Sequence, residues 1–172
     1  MSGPTFWTEE QQARRVPVWV WVFGPFVCLL ILMLWATPFH GRGKDSNETS
    51  AINSLQAIVK AEVQYADSFP ANGYACKLSN LGGDPGNGPP TPQAAQLIQA
   101  DLASGFRSGY IFKIATCTKV KVNGIDRITG FTVTAVPQVP GKTGNRGFCI
   151  DETGAVPKYD PKGGTNCTEQ LQ

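Results

Sequence analysis

The chain has 172 residues, of which 16% are charged, with a formal net charge of +2 and a single histidine. This length accommodates one modest domain together with a membrane anchor. The small net charge and the absence of a Lys/Arg stripe argue against a nucleic-acid partner, and one histidine excludes a histidine-rich metal site. The 19 glycines and 13 prolines predict many turns and irregular segments.

An apolar segment near the N-terminus is predicted to cross a membrane. Residues 16–39 contain no charged side chain, and their length matches the roughly 20 apolar residues that a helix needs to span a bilayer. Trp19, Trp21 and Trp35 lie near the ends of the segment, where indole rings favour the membrane interface. The run is too long for a signal peptide and no small-residue cleavage site follows it, so an uncleaved anchor is predicted.

The cysteines decide the predicted orientation, because the basic residues on the two sides of the segment are balanced. Four of the five cysteines follow the anchor, and an even number in a domain rich in glycine and proline indicates two disulfides and an oxidising compartment. We therefore predict a bacterial inner-membrane protein with a cytoplasmic arm (residues 1–15), a transmembrane helix (16–39) and a periplasmic domain (40–172).

The periplasmic part is predicted to begin with an amphipathic helix of about 20 residues. Asp45 and Glu48 have the spacing of a capping box, and Phe69 and Pro70 end the helical pattern. Apolar residues recur at helical spacing at Ile52, Leu55, Ile58, Val59, Val63 and Ala66. Residues 82–92 are expected to form an exposed loop, and residues 92–103 a short helix.

The rest of the chain has the alternating pattern of strands. Residues 110–122 and 125–136 flank an Asn-Gly turn and predict a hairpin. A third strand is predicted at 147–151 and a fourth at 155–159, after a turn. The predicted fold class is therefore α+β: an N-terminal transmembrane helix, then an amphipathic helix packed on a small antiparallel sheet, with two disulfides.

Residues 47–168 resemble the type IV pilins and pseudopilins, which are subunits of bacterial surface and secretion filaments. The resemblance implies a pilin-like periplasmic domain and a role in a filament or secretion apparatus. The segments that carry it are residues 48–58 and 62–65 in the helix, 69–76 and 78–82 at the helix exit, 108–112 at the start of the sheet, and 146–156 near the C-terminus.

The N-terminal segment differs from the pilin pattern. Glu9 and Glu10 precede the apolar run, where a pilin carries a glutamate inside its apolar helix, and prolines at 17, 25 and 38 interrupt that run. No leader junction matches that of the family. These differences favour an accessory subunit that keeps its N-terminal arm, with a mature chain expected to begin at Met1 or Ser2.

Four cysteines after the anchor allow three pairings. We predict Cys76–Cys117, which would tie the helix exit to the opening strand, and Cys149–Cys167, which would hold the C-terminal loop.

No catalytic or metal-binding residue is predicted. His40 follows the anchor and has no second histidine with which to share a metal. Asp151 and Glu152 are predicted to lie in a turn, where acidic residues are common. A catalytic role for this carboxylate pair is not predicted, because no partner base or nucleophile is recognisable. Asp84 and Asn87 lie in the glycine-rich loop but lack the spacing of a calcium site.

The other notable polar residues are predicted to lie on the solvent-exposed surface. Lys113, Lys119 and Lys121 alternate along the first long strand, as on a solvated sheet face. Asn47 and Asn166 lie in glycosylation sequons, which matter only in a host that glycosylates.

The predicted function is that of a non-enzymatic, single-span membrane protein, an accessory subunit of an energy-transducing or secretion complex. Its expected partners are membrane lipids and other subunits of that complex, and no cofactor is expected. The alternatives are a polymerising pilin or pseudopilin, and a small periplasmic module that binds a ligand or metal. Whether the aromatic anchor contacts lipid alone, a neighbouring helix, a pigment or a quinone stays open.

Overall fold

The computed structural model describes residues 42–171. A long helix, α1 (Arg42–Ser68), is followed by the single-turn helix α2 (Leu78–Leu81), a 3-10 turn (Pro85–Asn87) and the single-turn helix α3 (Ala100–Ala103). Six strands follow: β1 (Phe106–Arg107), β2 (Tyr110–Val122), β3 (Ile125–Pro137), β4 (Gly147–Asp151), β5 (Lys158–Asp160) and β6 (Glu169–Gln170).

The strands form one antiparallel sheet whose spatial order is the order of the chain. Strands β2 and β3 contain 13 residues each and join at Asn123 and Gly124, whose φ angles are 52° and 82°. Positive φ at both central residues is the requirement of a tight hairpin turn. Because β4 pairs only with residues 132–135 of β3, the end of the hairpin extends beyond it. We call residues 118–128 the hairpin arm.

The hydrophobic core lies between α1 and one face of the sheet, here called the inner face. Removing these side chains from water is the main source of stability for such a domain. Large side chains from the two sides of this core include Leu55 and Ile58 from α1, Tyr110 and Phe112 from β2, Phe131 and Val133 from β3, and Phe148 from β4, each at most 2% exposed.

The structure corrects the predicted fold class. The sequence predicted a transmembrane helix and an amphipathic helix on a small sheet, whereas the described residues form a six-stranded antiparallel sheet with one long helix and two helices of four residues. No helix within residues 42–171 is long and apolar enough to cross a membrane, and segment 16–39 lies outside the described residues. Four strands were predicted, and β1 and β6 were missed because each has only two residues, too few for an alternating pattern to be recognised.

Element boundaries differ from the predictions where tertiary contacts compete with local preference. The residues from Arg42, the first one described, are already helical, so Asp45 lies inside α1. The Glu48 side chain bonds to distant residues and not to a helix cap. Of the expected helix over 92–103, only Ala100–Ala103 is helical. The strand expected at 155–159 forms instead at Lys158–Asp160.

The buried stripe of α1 also differs from the predicted one. Val63 was assigned to the stripe but is 45% exposed, whereas the neighbouring Glu62 is fully buried. Leu55, Ile58 and Tyr65 share that buried face, so an acidic residue occupies a core position of the helix.

The chain after α1 adds to the free side of β3. Ile128 donates its N–H to the Asn72 carbonyl and accepts from the Tyr74 N–H, at N–O distances of 2.9 and 3.1 Å. Gly73 lies between them with φ of +72°, and a Cβ atom there would collide with the Ile128 carbonyl. Glycine is therefore required where this segment approaches the sheet.

Candidate functional site

Both predicted cysteine pairs are present as disulfides. Cys76 is joined to Cys117 and Cys149 to Cys167, with Cα–Cα distances of 6.1 and 6.0 Å. The first links the segment after α1 to β2, and the second links β4 to the C-terminal loop. All four cysteines of the described residues are thus used as cross-links.

A buried carboxylate joins α1 to the loop before β4. The Glu48 side chain accepts the N–H groups of Asn145 and Arg146 at 2.8 and 3.1 Å and pairs with the Arg146 guanidinium, with an Nη2–Oε2 distance of 2.8 Å. Burial opposes the charge, but these hydrogen bonds outweigh it and hold the pKa of Glu48 below its ordinary value. The same guanidinium lies over the rings of Phe148 and Tyr159, 5.5 and 5.3 Å from their centroids, in cation–π geometry.

Two further hydrogen bonds support this Glu48–Arg146 cluster. The Tyr110 hydroxyl donates to the Arg146 carbonyl, and the Asn47 amide donates to the Thr143 carbonyl, each at 2.9 Å. Burial, together with the charge of Glu48, raises the pKa of Tyr110, so the phenol stays a donor. Asn47, one of the two sequon residues, is therefore half-buried and engaged in a tertiary contact.

A second buried carboxyl, Glu62, anchors the segment that follows α1. Its Oε2 accepts the Ala75 N–H at 2.6 Å, and its Oε1 is buried without a hydrogen-bond partner among the described residues. Burial raises the pKa of Glu62 to about 8, against the opposing effect of the Ala75 hydrogen bond. The carboxyl is therefore mainly protonated at neutral pH.

A groove lies on the outer face of the sheet, opposite α1. Its volume is about 640 Å³, and it runs beside the Cys149–Cys167 disulfide. Asp151 lines it, but its carboxylate accepts the Thr153 N–H at 3.1 Å. The neighbouring Glu152 accepts the Phe131 N–H at 3.3 Å. The Asp151 carboxylate therefore stabilises the turn between β4 and β5, and the Glu152 carboxylate links that turn to β3.

The remaining candidates do not come together in one site. Asp84 accepts the Gly86 N–H at 2.9 Å and caps the 3-10 turn, and no group of three or more potential metal ligands occurs within residues 42–171. His40 and the three tryptophans Trp19, Trp21 and Trp35 lie outside the described residues.

The three lysines of β2 do not share one face. The pairing of β2 with β3 shifts by one residue between Ile114 and Thr116. This bulge puts Lys113 on the opposite face of the strand from Lys119 and Lys121. All three are exposed, and Lys121 pairs with Asp126 at 3.5 Å on the hairpin arm.

The hairpin arm exposes apolar side chains on one face. Val120, Val122 and Ile125 are 41%, 44% and 63% exposed, and the pairing Val120↔Arg127 and Val122↔Ile125 puts them on the same face. The three side chains form an exposed apolar patch, which is a candidate contact surface.

Comparison with known proteins assigns no relative. No family model matches the chain, and neither the curated proteins nor the solved structures give a significant match.

Proposed function

We propose that this chain is a non-enzymatic, membrane-tethered accessory subunit of a larger membrane complex, related to the type IV pilins. Residues 16–39 serve as the tether and the disulfide-bonded domain lies in the periplasm. The observation that carries the proposal is the hairpin arm, which extends beyond β4 and presents Val120, Val122 and Ile125 to solvent. An arm of this kind offers a contact surface to another subunit.

The disulfides support the periplasmic assignment. Both cross-links lie in the domain that follows the apolar segment, and structural disulfides persist in oxidising compartments. The basic residues alone left the orientation undecided, so the cysteines carry this part of the proposal.

The buried carboxyl groups support a structural role. Glu48 and Glu62 hold the loops described above, and Asp160 accepts the N–H groups of Lys162 and Asn166 at 2.9 and 3.0 Å. Each of the three therefore satisfies backbone groups of a loop, and such bonds stabilise the fold.

The test is copurification of the full-length chain in mild detergent, comparing the wild type with a variant in which Val120, Val122 and Ile125 are all changed to Thr. We expect the wild type to migrate in native gels with partner subunits at fixed stoichiometry, and the variant to keep its melting temperature but migrate alone. The matched control changes Val139 and Val156 to Thr. These two residues are 43% and 60% exposed and lie outside the hairpin arm, so the control should behave as wild type.

Three results would contradict parts of the proposal. If the variant still migrates with every partner subunit, the arm is not part of the interface. Recovery of the chain in sheared extracellular filaments would favour the polymerising pilin instead. Protease added to spheroplasts should digest the domain and spare residues 1–15, and the reverse pattern would contradict the periplasmic assignment.

A further inference from the structure

The outer edge of β2 is largely unpaired. Strand β1 covers only Tyr110 and Ile111, and Phe112 donates its N–H to the Gly105 carbonyl at 2.8 Å. From Lys113 onward, no other strand among residues 42–171 pairs with this edge. Backbone N–H and C=O groups along such an edge can accept an added strand.

A groove runs along the paired start of this edge. We call it the edge groove; it has a volume of about 540 Å³ and is formed by residues 76–79, 103–106 and 111–114. Phe106 is 54% exposed, and Ile111 and Ile114 are half-buried. An extended segment that paired with the edge would therefore also bury apolar side chains.

The charges at the edge groove indicate which kind of segment would bind there. The charged lining residues of the groove are Lys77 and Lys113, both exposed. Lysines on an edge strand oppose pairing with an identical edge, because like charges would meet. The same lysines attract carboxylates, so a second copy of this chain is disfavoured and an acidic segment is favoured.

We propose that an extended, acidic segment of a partner protein starts in the edge groove and adds to β2 as an extra strand along the unpaired edge from Lys113 onward. Main-chain hydrogen bonds to the β2 edge give affinity, and carboxylates facing Lys77 and Lys113 give selectivity. The inference deepens the proposed function, on which it rests for the existence of a protein partner.

The test uses the full-length chain in detergent and a fluorescent peptide of about eight residues, a typical strand length. In the peptide, glutamate alternates with valine and threonine. One control peptide replaces glutamate by glutamine, and another carries N-methyl groups that remove its main-chain donors. We expect anisotropy to show saturable binding of the acidic peptide only, with slowed hydrogen exchange in residues 113–119.

Matched charge reversals test the location of the site. Lys113→Glu should weaken binding of the acidic peptide roughly tenfold, whereas Lys158→Glu on β5, another exposed lysine that does not line the edge groove, should leave it unchanged. Both side chains are exposed, and unchanged melting temperatures would show that the variants fold.

Several outcomes would overturn the inference. They are equal binding of the N-methylated peptide, equal losses for the two lysine variants, no binding of the acidic peptide, or hydrogen-exchange protection elsewhere. Protection of residues 113–119 by self-association, seen as dimers in light scattering, would assign the edge to a second copy. The edge groove lies outside the hairpin arm, and Val120, Val122 and Ile125 are left unchanged in this test, so copurification can still succeed or fail separately.

Discussion

The buried carboxyl of Glu62 makes a sharp prediction about the pH dependence of stability. Glu62 is fully buried and accepts one hydrogen bond, from the Ala75 N–H. Glu62→Gln conserves the size of the side chain, and its amide oxygen can accept the same bond. The substitution removes the ability to ionise, so the pH dependence of the difference from wild type reports the buried charge.

The sign follows from proton linkage. Burial raises the pKa of Glu62 from 4.5 to about 8, so the folded state holds the proton more tightly than the unfolded state does. The stabilisation is fully present below pH 4.5 and is lost as pH rises to about 8. At about 1.4 kcal/mol per pH unit, the total loss is on the order of 5 kcal/mol.

The assay is urea denaturation of the wild type and of Glu62→Gln at intervals from pH 5 to 9. We expect the stability of the wild type to fall relative to that of the variant across this range and to level off above pH 8. Asp67→Asn, an exposed carboxyl-to-amide change in the same helix, should run parallel to wild type. Parallel curves for Glu62→Gln and wild type would refute the assignment of a protonated buried carboxyl.

Three further changes test the contacts that hold the loops. Glu48→Gln should lower the free energy of unfolding by about 2–3 kcal/mol at neutral pH, because the Arg146 guanidinium and two N–H groups lose a charged partner; the loss should shrink below pH 4 in urea titrations. Replacing Cys76 and Cys117 by serine should cost about 4 kcal/mol for a closed loop of this length, measured by the urea midpoint. Gly147→Ala places a Cβ against a carbonyl of the C-terminal loop and should cost about 2–4 kcal/mol, seen as a lower melting temperature.

The features that the sequence determined are local ones. The Asn123–Gly124 turn and the alternation on either side of it predicted the β2–β3 hairpin, because the turn and its flanking strands are specified by neighbouring residues. The sequence allowed three pairings of the four cysteines. The pairs chosen, one from the helix exit to the first long strand and one within the C-terminal part, are the ones that the structure contains.

The buried acids show what the sequence pattern left undecided. Glu48 has the spacing of a helix cap, and only the fold brings Asn145 and Arg146, 97 and 98 residues away, to its carboxylate. For Glu62 a signal existed: it follows Ile58 by four residues and precedes Tyr65 by three, the spacing of the buried face. Periodicity assigned Val63 to that face because apolar residues are the expected core residues.

The candidate binding surfaces were decided by tertiary structure alone. Whether an edge is open depends on how far the neighbouring strand extends, and β1, which has two residues, covers only Tyr110 and Ile111 of β2. The face on which Lys113 lies depends on a bulge that shifts pairing with β3. Strand pairing is a relation between distant segments, so the local sequence specifies the strand while the assembled sheet determines what it exposes.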